Sequence, residues 1–154
     1  MQVFIVGSPL ETARALDGAR LRKQIIETRQ ILDALNGAKA WSNHPCVLQY
    51  RGYKEWLQEY ASCLTYYRDS KKGADKWQMA LAKASSEIAD DIRPDWHNEA
   101  YYAQNKCRLY TKEPKHYWRW KYYGTSEENW YCVDGEWRKY VNGKRIEEYG
   151  KESI

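Results

Sequence analysis

Leu16-Asp17-Gly18-Ala19-Arg20-Leu21-Arg22-Lys23-Gln24-Ile25-Ile26-Glu27-Thr28-Arg29-Gln30-Ile31-Leu32-Asp33-Ala34-Leu35-Asn36-Gly37 is the stretch that sets the fold class. Leu21, Ile25, Thr28, Leu32 and Leu35 recur at three- and four-residue steps, which predicts an amphipathic helix over 19–35 stopped by Asn36-Gly37. Upstream, Ser8-Pro9-Leu10-Glu11 has the capping-box pattern with Pro at the first helical position, so another helix begins there and ends near Asp17-Gly18. Downstream, a loop from Ala40 to Pro45 leads into a short helix through Tyr50. Trp56, Leu57, Tyr60, Leu64 and Tyr67 then mark a long helix, and Arg68 to Gly73 reads as a polar loop. A further helix is expected from about Ala74 to Ile88, then a turn at Arg93-Pro94-Asp95, then a helix capped by Asn98-Glu99 that runs to Tyr110.

Beyond Gly124 the periodicity changes from helical to alternating. Trp130 to Val133, Trp137 to Val141 and Lys144 to Tyr149 are aromatic and β-branched runs joined by Asp134-Gly135 and Asn142-Gly143, two-residue hairpin turns. The expectation is a mainly α fold: a compact orthogonal helical bundle over 1–124 and a small three-stranded antiparallel β-meander over 125–154. A meander this small is marginal alone, so its aromatic face should pack on the helices.

The 154 residues hold eight Trp, fourteen Tyr and one Phe at a net charge of +4. That aromatic content excludes a disordered chain. No 18-residue apolar run suits a membrane span, and Met1-Gln2-Val3-Phe4-Ile5-Val6-Gly7 lacks the basic start of a signal peptide. Cys46, Cys63, Cys107 and Cys132 show no metal-ligand spacing, so they read as reduced thiols of a cytoplasmic protein. Trp41, Trp56, Tyr60 and Tyr67 sit at core-like spacing.

Three constellations are candidates for chemistry. Arg20, Lys23, Gln24, Glu27 and Gln30 share one face of the 19–35 helix, either as a solvated stripe with a Lys23–Glu27 pair or as a carboxylate set among cations that meets an anionic substrate. Trp41-Ser42-Asn43-His44-Pro45 serves either a site or a helix cap through Asn43 or Ser42. Between Lys106 and Tyr123 lie six Lys and Arg against one acid, interleaved with Tyr110, Tyr117, Trp118, Trp120, Tyr122 and Tyr123. Cations neutralise phosphates and aromatic faces stack on unpaired bases, although snorkelling Lys stems over packed aromatics give the same pattern. No glycine-rich phosphate loop, GxSxG, HExxH or paired-Asp metal signature is present, so no metal and no cofactor is expected.

In their order and spacing, Leu16-Asp17, Arg20-Leu21, Lys23-Gln24, Glu27, Gln30-Ile31-Leu32 and Trp41, Asn43-His44-Pro45 resemble bacterial members of the pyrimidine-dimer DNA glycosylase (phage endonuclease V) family. Arg93-Pro94-Asp95-Trp96 and Trp120-Lys121-Tyr122-Tyr123-Gly124 are similar to later segments of the same family. The resemblance implies a mostly helical fold that excises damaged pyrimidines from duplex DNA and cleaves the resulting abasic site. An amine attacks the sugar C1′, a Schiff base forms, and a glutamate stabilises the sugar cation. By position Glu27 is that carboxylate, Arg20 a DNA contact, and Trp120, Lys121, Tyr122 and Tyr123 contacts to the backbone. Two departures stand out. The family's amine belongs to a small residue exposed by Met removal, whereas position 2 here is Gln2, so the chain would begin at Met1. The family's two arginines flanking the glutamate correspond to Ile26 and Gln30.

The expected function is a metal-free DNA glycosylase, with or without lyase activity. Candidate catalytic residues are Glu27, Met1, Gln2 and, as a substitute amine, Lys23. Candidate DNA contacts are Arg20, Arg22, Gln24, Gln30, Asn43, His44, Lys115, Arg119, Trp120, Lys121, Tyr122 and Tyr123. The expected partner is double-stranded DNA with a damaged or modified base. The alternatives are a non-catalytic nucleic-acid-binding module, or a protein-interaction module docking through Trp130, Trp137 and Tyr140.

Overall fold

Val3, Phe4, Ile5 and Val6 run through the interior as an extended thread that joins no sheet. A buried backbone needs partners, and side chains from four other segments supply them. The Phe4 N–H donates to Gln24 Oε1 at 3.0 Å, the Gln24 amide donates to the Gln2 carbonyl at 2.6 Å, and the Tyr60 hydroxyl donates to the Phe4 carbonyl at 2.6 Å. Val6 N–H finds Thr12 Oγ1 at 3.0 Å, and the Asn105 amide reaches the Ile5 carbonyl at 2.8 Å. The thread fixes the N-terminus beside the second helix. The structure is a computed structural model and describes residues 1–73, 76–141 and 144–145.

Around the thread lie α1 (Pro9–Ala15), α2 (Gly18–Leu35), α3 (Pro45–Gln49), α4 (Lys54–Lys71), α5 (Trp77–Asp91) and α6 (Glu99–Lys112), followed by a 3-10 segment, Trp118–Tyr123. Ser8 caps α1 by accepting from Glu11 N–H at 3.1 Å, with Pro9 opening the helix. The α2 helix buries Leu21, Ile25, Thr28 and Ile31, and Gly37 takes φ +108° just past its end. The fold is mainly α with a small antiparallel sheet, as expected.

Four local readings are corrected. The stretch from Arg68 is not a loop until Lys72: α4 runs on to Lys71, because Arg68 pairs with Asp69, Ser70 Oγ back-bonds to the Tyr67 carbonyl, and cations suit a helix C-terminus. The α5 helix ends at Asp91 rather than Ile88; its expected start at Ala74 lies outside the described residues. The α3 helix is capped by neither Asn43 nor Ser42: His44 Nδ1 itself accepts from Cys46 N–H at 3.1 Å. Trp41 is exposed on the loop, at φ +65°, and meets His44 edge-on at 5.9 Å between centroids.

Trp56, Tyr60 and Tyr67 are buried as expected, and the first two belong to an aromatic ladder. Trp56 stacks on Tyr60 at 4.9 Å and on Tyr50 at 5.5 Å between centroids. His97 meets Trp56 edge-on at 4.5 Å, lies parallel to Tyr101, and has Nε2 at 3.0 Å from the Tyr50 hydroxyl. Burial, with Arg93 adding repulsion, drives the His97 pKa down to about 3, so the ladder is neutral.

The sheet is a β1-β2-β3 meander of Glu128–Val133, Glu136–Val141 and Lys144–Arg145. Asp134 and Gly135 both take positive φ, as the tight primed hairpin turn requires. The Asn142-Gly143 turn and the rest of the third strand to Tyr149 lie outside the described residues. Cys132 N–H donates to Gln49 Oε1 at 3.2 Å, the Gln104 amide donates to the Glu128 carbonyl at 2.9 Å, and Trp137 lies on Tyr101 at 5.5 Å. No helix among the described residues is long and apolar enough to cross a membrane.

Candidate active site

The extended N-terminus and the polar face of α2 enclose a cleft of about 390 Å³. Met1, Gln2, Arg20, Lys23, Gln24, Glu27 and His44 line it, so seven candidates from three separate stretches of sequence converge there. Glu27 sits at the centre with its side chain 12% exposed, while Lys23, one turn earlier, is 71% exposed and stands 3.8 Å from Glu27 Oε1. Glu27 Oε2 accepts the Gln2 backbone N–H at 3.2 Å and the Gln24 amide at 3.4 Å. Gln24 therefore ties thread and carboxylate together, held in turn by the Tyr60 hydroxyl at 3.0 Å. It is a buried scaffold for the site rather than a surface contact.

His44 lies against this N-terminus. Burial first and the terminal ammonium second lower its pKa, so it faces the cleft as neutral imidazole. Burial pushes the neighbouring Cys46 thiol up to about 12, which leaves it a packing group and no nucleophile.

Six lining residues were not among the candidates: Phe4 and Ala19, and four with polar groups. Tyr131 of β1 is buried, its hydroxyl 3.4 Å from the Met1 carbonyl and its ring edge-on to His44. Arg108 of α6 donates to Ser126 O at 2.5 Å and Asn129 Oδ1 at 3.0 Å, while Glu127 lies 3.7 Å away. Lys112 stands one turn further on, its ammonium lowered by desolvation at the cleft wall and then by Arg108, Lys23 and Arg20. Asn129 completes the group. The run of cations from Lys106 signalled Arg108 and Lys112; nothing in the sequence paired Tyr131 or Asn129 with Glu27. The result is one carboxylate beneath four cations, Arg20, Lys23, Arg108 and Lys112, a field that draws a polyanion toward Glu27.

Other candidates lie elsewhere. Arg22 lines a separate groove with Tyr67 and Lys71, because it falls off the polar face of α2. Gln30 and Asn43 are not in the cleft lining; Asn43 is exposed on the loop before His44. Lys115, Arg119, Lys121, Tyr122 and Tyr123 are exposed, whereas Trp120 is half-buried and stacks on Tyr117 at 5.3 Å. The Tyr117 hydroxyl reaches Asp17 Oδ1 at 2.5 Å, and Asp17 lies 3.3 Å from Arg20. Burial pushes the Asp17 pKa up, but Tyr117 and Arg20 together hold it below the usual carboxylate value. This chain of contacts ties the aromatic, cationic segment 118–123 to the start of α2. Among the described residues no group of three His, Cys, Asp or Glu is placed to hold a metal ion.

The helical body thus presents a largely covered carboxylate among four cations, with the N-terminal thread hydrogen-bonded to it. Residues 1–71 match the model of a protein family described as pyrimidine dimer DNA glycosylase, which meets the resemblance read from Leu16 to Pro45. The match ends with α4, so Arg93 to Trp96 and Trp120 to Gly124 lie beyond it. No curated protein and no solved structure matches the chain.

Proposed function

We propose that the protein is a DNA glycosylase that removes a damaged pyrimidine from duplex DNA, using an N-terminal amine as nucleophile and Glu27 as the carboxylate facing the sugar. The observation that carries this reading is the 3.2 Å contact between Gln2 N–H and Glu27 Oε2 inside the basic cleft. The α-nitrogen of residue 2 and the carboxylate are within one hydrogen bond, and removal of Met1 turns that nitrogen into an amine in place. With Met1 retained, its amine lies one residue on, toward His44.

The amine lone pair attacks C1′ as the base departs with the glycosidic electron pair, and Glu27 opposes the positive charge that develops on the sugar. One nitrogen proton passes to the departing base and the other to O4′ as the ring opens, which gives the C1′ imine; water then takes a C2′ proton, and the C–H pair forms the C2′–C3′ double bond as the 3′ phosphate leaves with its C–O pair. Arg20, Lys23, Arg108 and Lys112 hold phosphates around the cleft, and the exposed Trp118, Tyr122 and Tyr123 beside Lys121 support the distorted duplex. Lys23 suits nucleophilic attack poorly, since it is solvent-exposed and already paired with Glu27.

The test is base release from a duplex carrying a single pyrimidine dimer, with the undamaged duplex as control. Release from the damaged strand alone supports the reading; salt-sensitive binding with no release on the dimer or on any oxidised or alkylated pyrimidine overturns it.

A further inference from the structure

The peptide unit between Met1 and Gln2 is held from both sides. Its N–H donates to Glu27 Oε2 at 3.2 Å, and its carbonyl accepts from the Tyr131 hydroxyl at 3.4 Å. In this trans unit the N–H and the carbonyl point opposite ways, so Glu27 of α2 and Tyr131 of β1 flank the chain. The Gln2 carbonyl accepts the Gln24 amide at 2.6 Å, and the Met1 side chain packs against the core. Among the described residues, the Met1 α-amine has no hydrogen bond or ion pair, and Met1 lines the cleft. Only the Cα–C bond of Met1 separates that amine from the fixed peptide plane, so one torsion sets where the nitrogen lies.

Tyr131 is itself held firmly. It is buried, and its ring meets Tyr140 edge-on at 5.3 Å and His44 at 6.1 Å. Burial raises its pKa well above the usual phenol value, so the hydroxyl stays protonated and donates. Alternation in β1 turns Asn129 and Tyr131 toward the cleft and Trp130 away from it. We propose that Tyr131 positions the nucleophile: with Glu27 it clamps the Met1–Gln2 peptide, and the amine so aimed is that of Met1, kept on the chain. This rests on the reading of the cleft as an N-terminal amine site and narrows it to one nitrogen. The long Gln2 side chain disfavours removal of Met1, which agrees. Glu27 Oε2 serves the clamp, leaving Oε1, beside Lys23, for the sugar. The Met1 nitrogen bonds to C1′ as the bond to the base breaks, and its two protons go to the base and to O4′. The tyrosine proton stays on its oxygen throughout.

The test compares the full-length wild type with Tyr131→Phe, which keeps the ring and removes the hydroxyl. One duplex carries a single pyrimidine dimer and another a single abasic site. Borohydride trapping should place the wild-type adduct on Met1. In Tyr131→Phe the saturating single-turnover rate should fall about tenfold on both duplexes, with half-saturation changed by less than about twofold. Tyr140→Phe strips a hydroxyl from the neighbouring ring and none from the clamp, and should keep the wild-type rate. An adduct on Gln2, an unchanged rate in Tyr131→Phe, a loss carried by half-saturation, or an equal loss in Tyr140→Phe overturns this assignment alone. A wild type with no adduct, or with one on Lys23, overturns the N-terminal amine mechanism and this assignment with it.

Discussion

The Gln2 backbone N–H donates to Glu27 Oε2 at 3.2 Å, across 25 residues of sequence. The contact exists because Gln24, one turn before Glu27, spans the thread: its carbonyl accepts Phe4 N–H and its amide donates to the Gln2 carbonyl. The chemistry proposed for the cleft depends on that alignment.

Replacing Glu27 with Gln keeps the side-chain shape and an acceptor for Gln2 N–H but removes the charge that opposes the sugar cation. Base release should fall by about 100-fold or more, while duplex affinity changes by less than about threefold. Single-turnover assays alongside binding titrations separate the two, and an equal loss of both would contradict the assignment.

Gln24→Leu leaves the Phe4 N–H and the Gln2 carbonyl without their partners inside the protein. Unmatched buried groups of this kind cost about 1–3 kcal/mol each, so a clear drop in denaturation midpoint is expected. Tyr60→Phe, which removes one hydroxyl from the same network, should cost about 1–2 kcal/mol. Both should lower turnover more than DNA affinity, because they loosen the N-terminus rather than the cations.

Lys112 carries no structural hydrogen bond comparable to those of Arg108, so it isolates the electrostatic role. Lys112→Ala should weaken duplex binding and reduce the slope of log affinity against log salt by about one. Arg108→Met should instead destabilise the fold by about 3 kcal/mol, since it leaves Ser126 O and Asn129 Oδ1 without their α6 donor. Urea unfolding and salt-dependent titration distinguish the pair.

His97 sets an acid limit. Its folded pKa of about 3 lies below the ordinary histidine value, so the unfolded chain binds the proton first. The resulting stability is complete above about pH 6.5 and is lost as pH falls toward 3, at up to about 1.4 kcal/mol per pH unit. His44, also lowered, adds a loss of the same sign. Denaturant midpoints at pH 7, 5 and 4 should decline steadily, and a flat profile would refute the buried neutral ring.

Much of the helical body was legible because burial repeats locally: Trp56, Leu57, Tyr60, Leu64 and Tyr67 fall on one face whatever they pack against. The stop of α2 at Asn36-Gly37 and the Asp134-Gly135 turn were legible too, as backbone preferences carried by one or two residues. The polar face of α2 announced Arg20, Lys23, Gln24 and Glu27 by spacing, yet spacing alone did not tell a solvated stripe from a site. The thread at Val3–Val6, which covers one end of that face, has no periodicity, because its backbone is satisfied by Gln24, Tyr60, Thr12 and Asn105 rather than by a strand. Tyr131 was hidden likewise: alternation in β1 says that it faces one side, and only the docking of the meander says that this side is the cleft.

Borohydride trapping on a duplex with a single abasic site, followed by mass mapping of the adducted peptide, tests the central claim most directly. The account predicts a covalent adduct on the N-terminal nitrogen, at Gln2 or at a retained Met1, present in the wild type and in Lys23→Ala alike. No adduct at all, or one confined to Lys23 and lost with it, would contradict it.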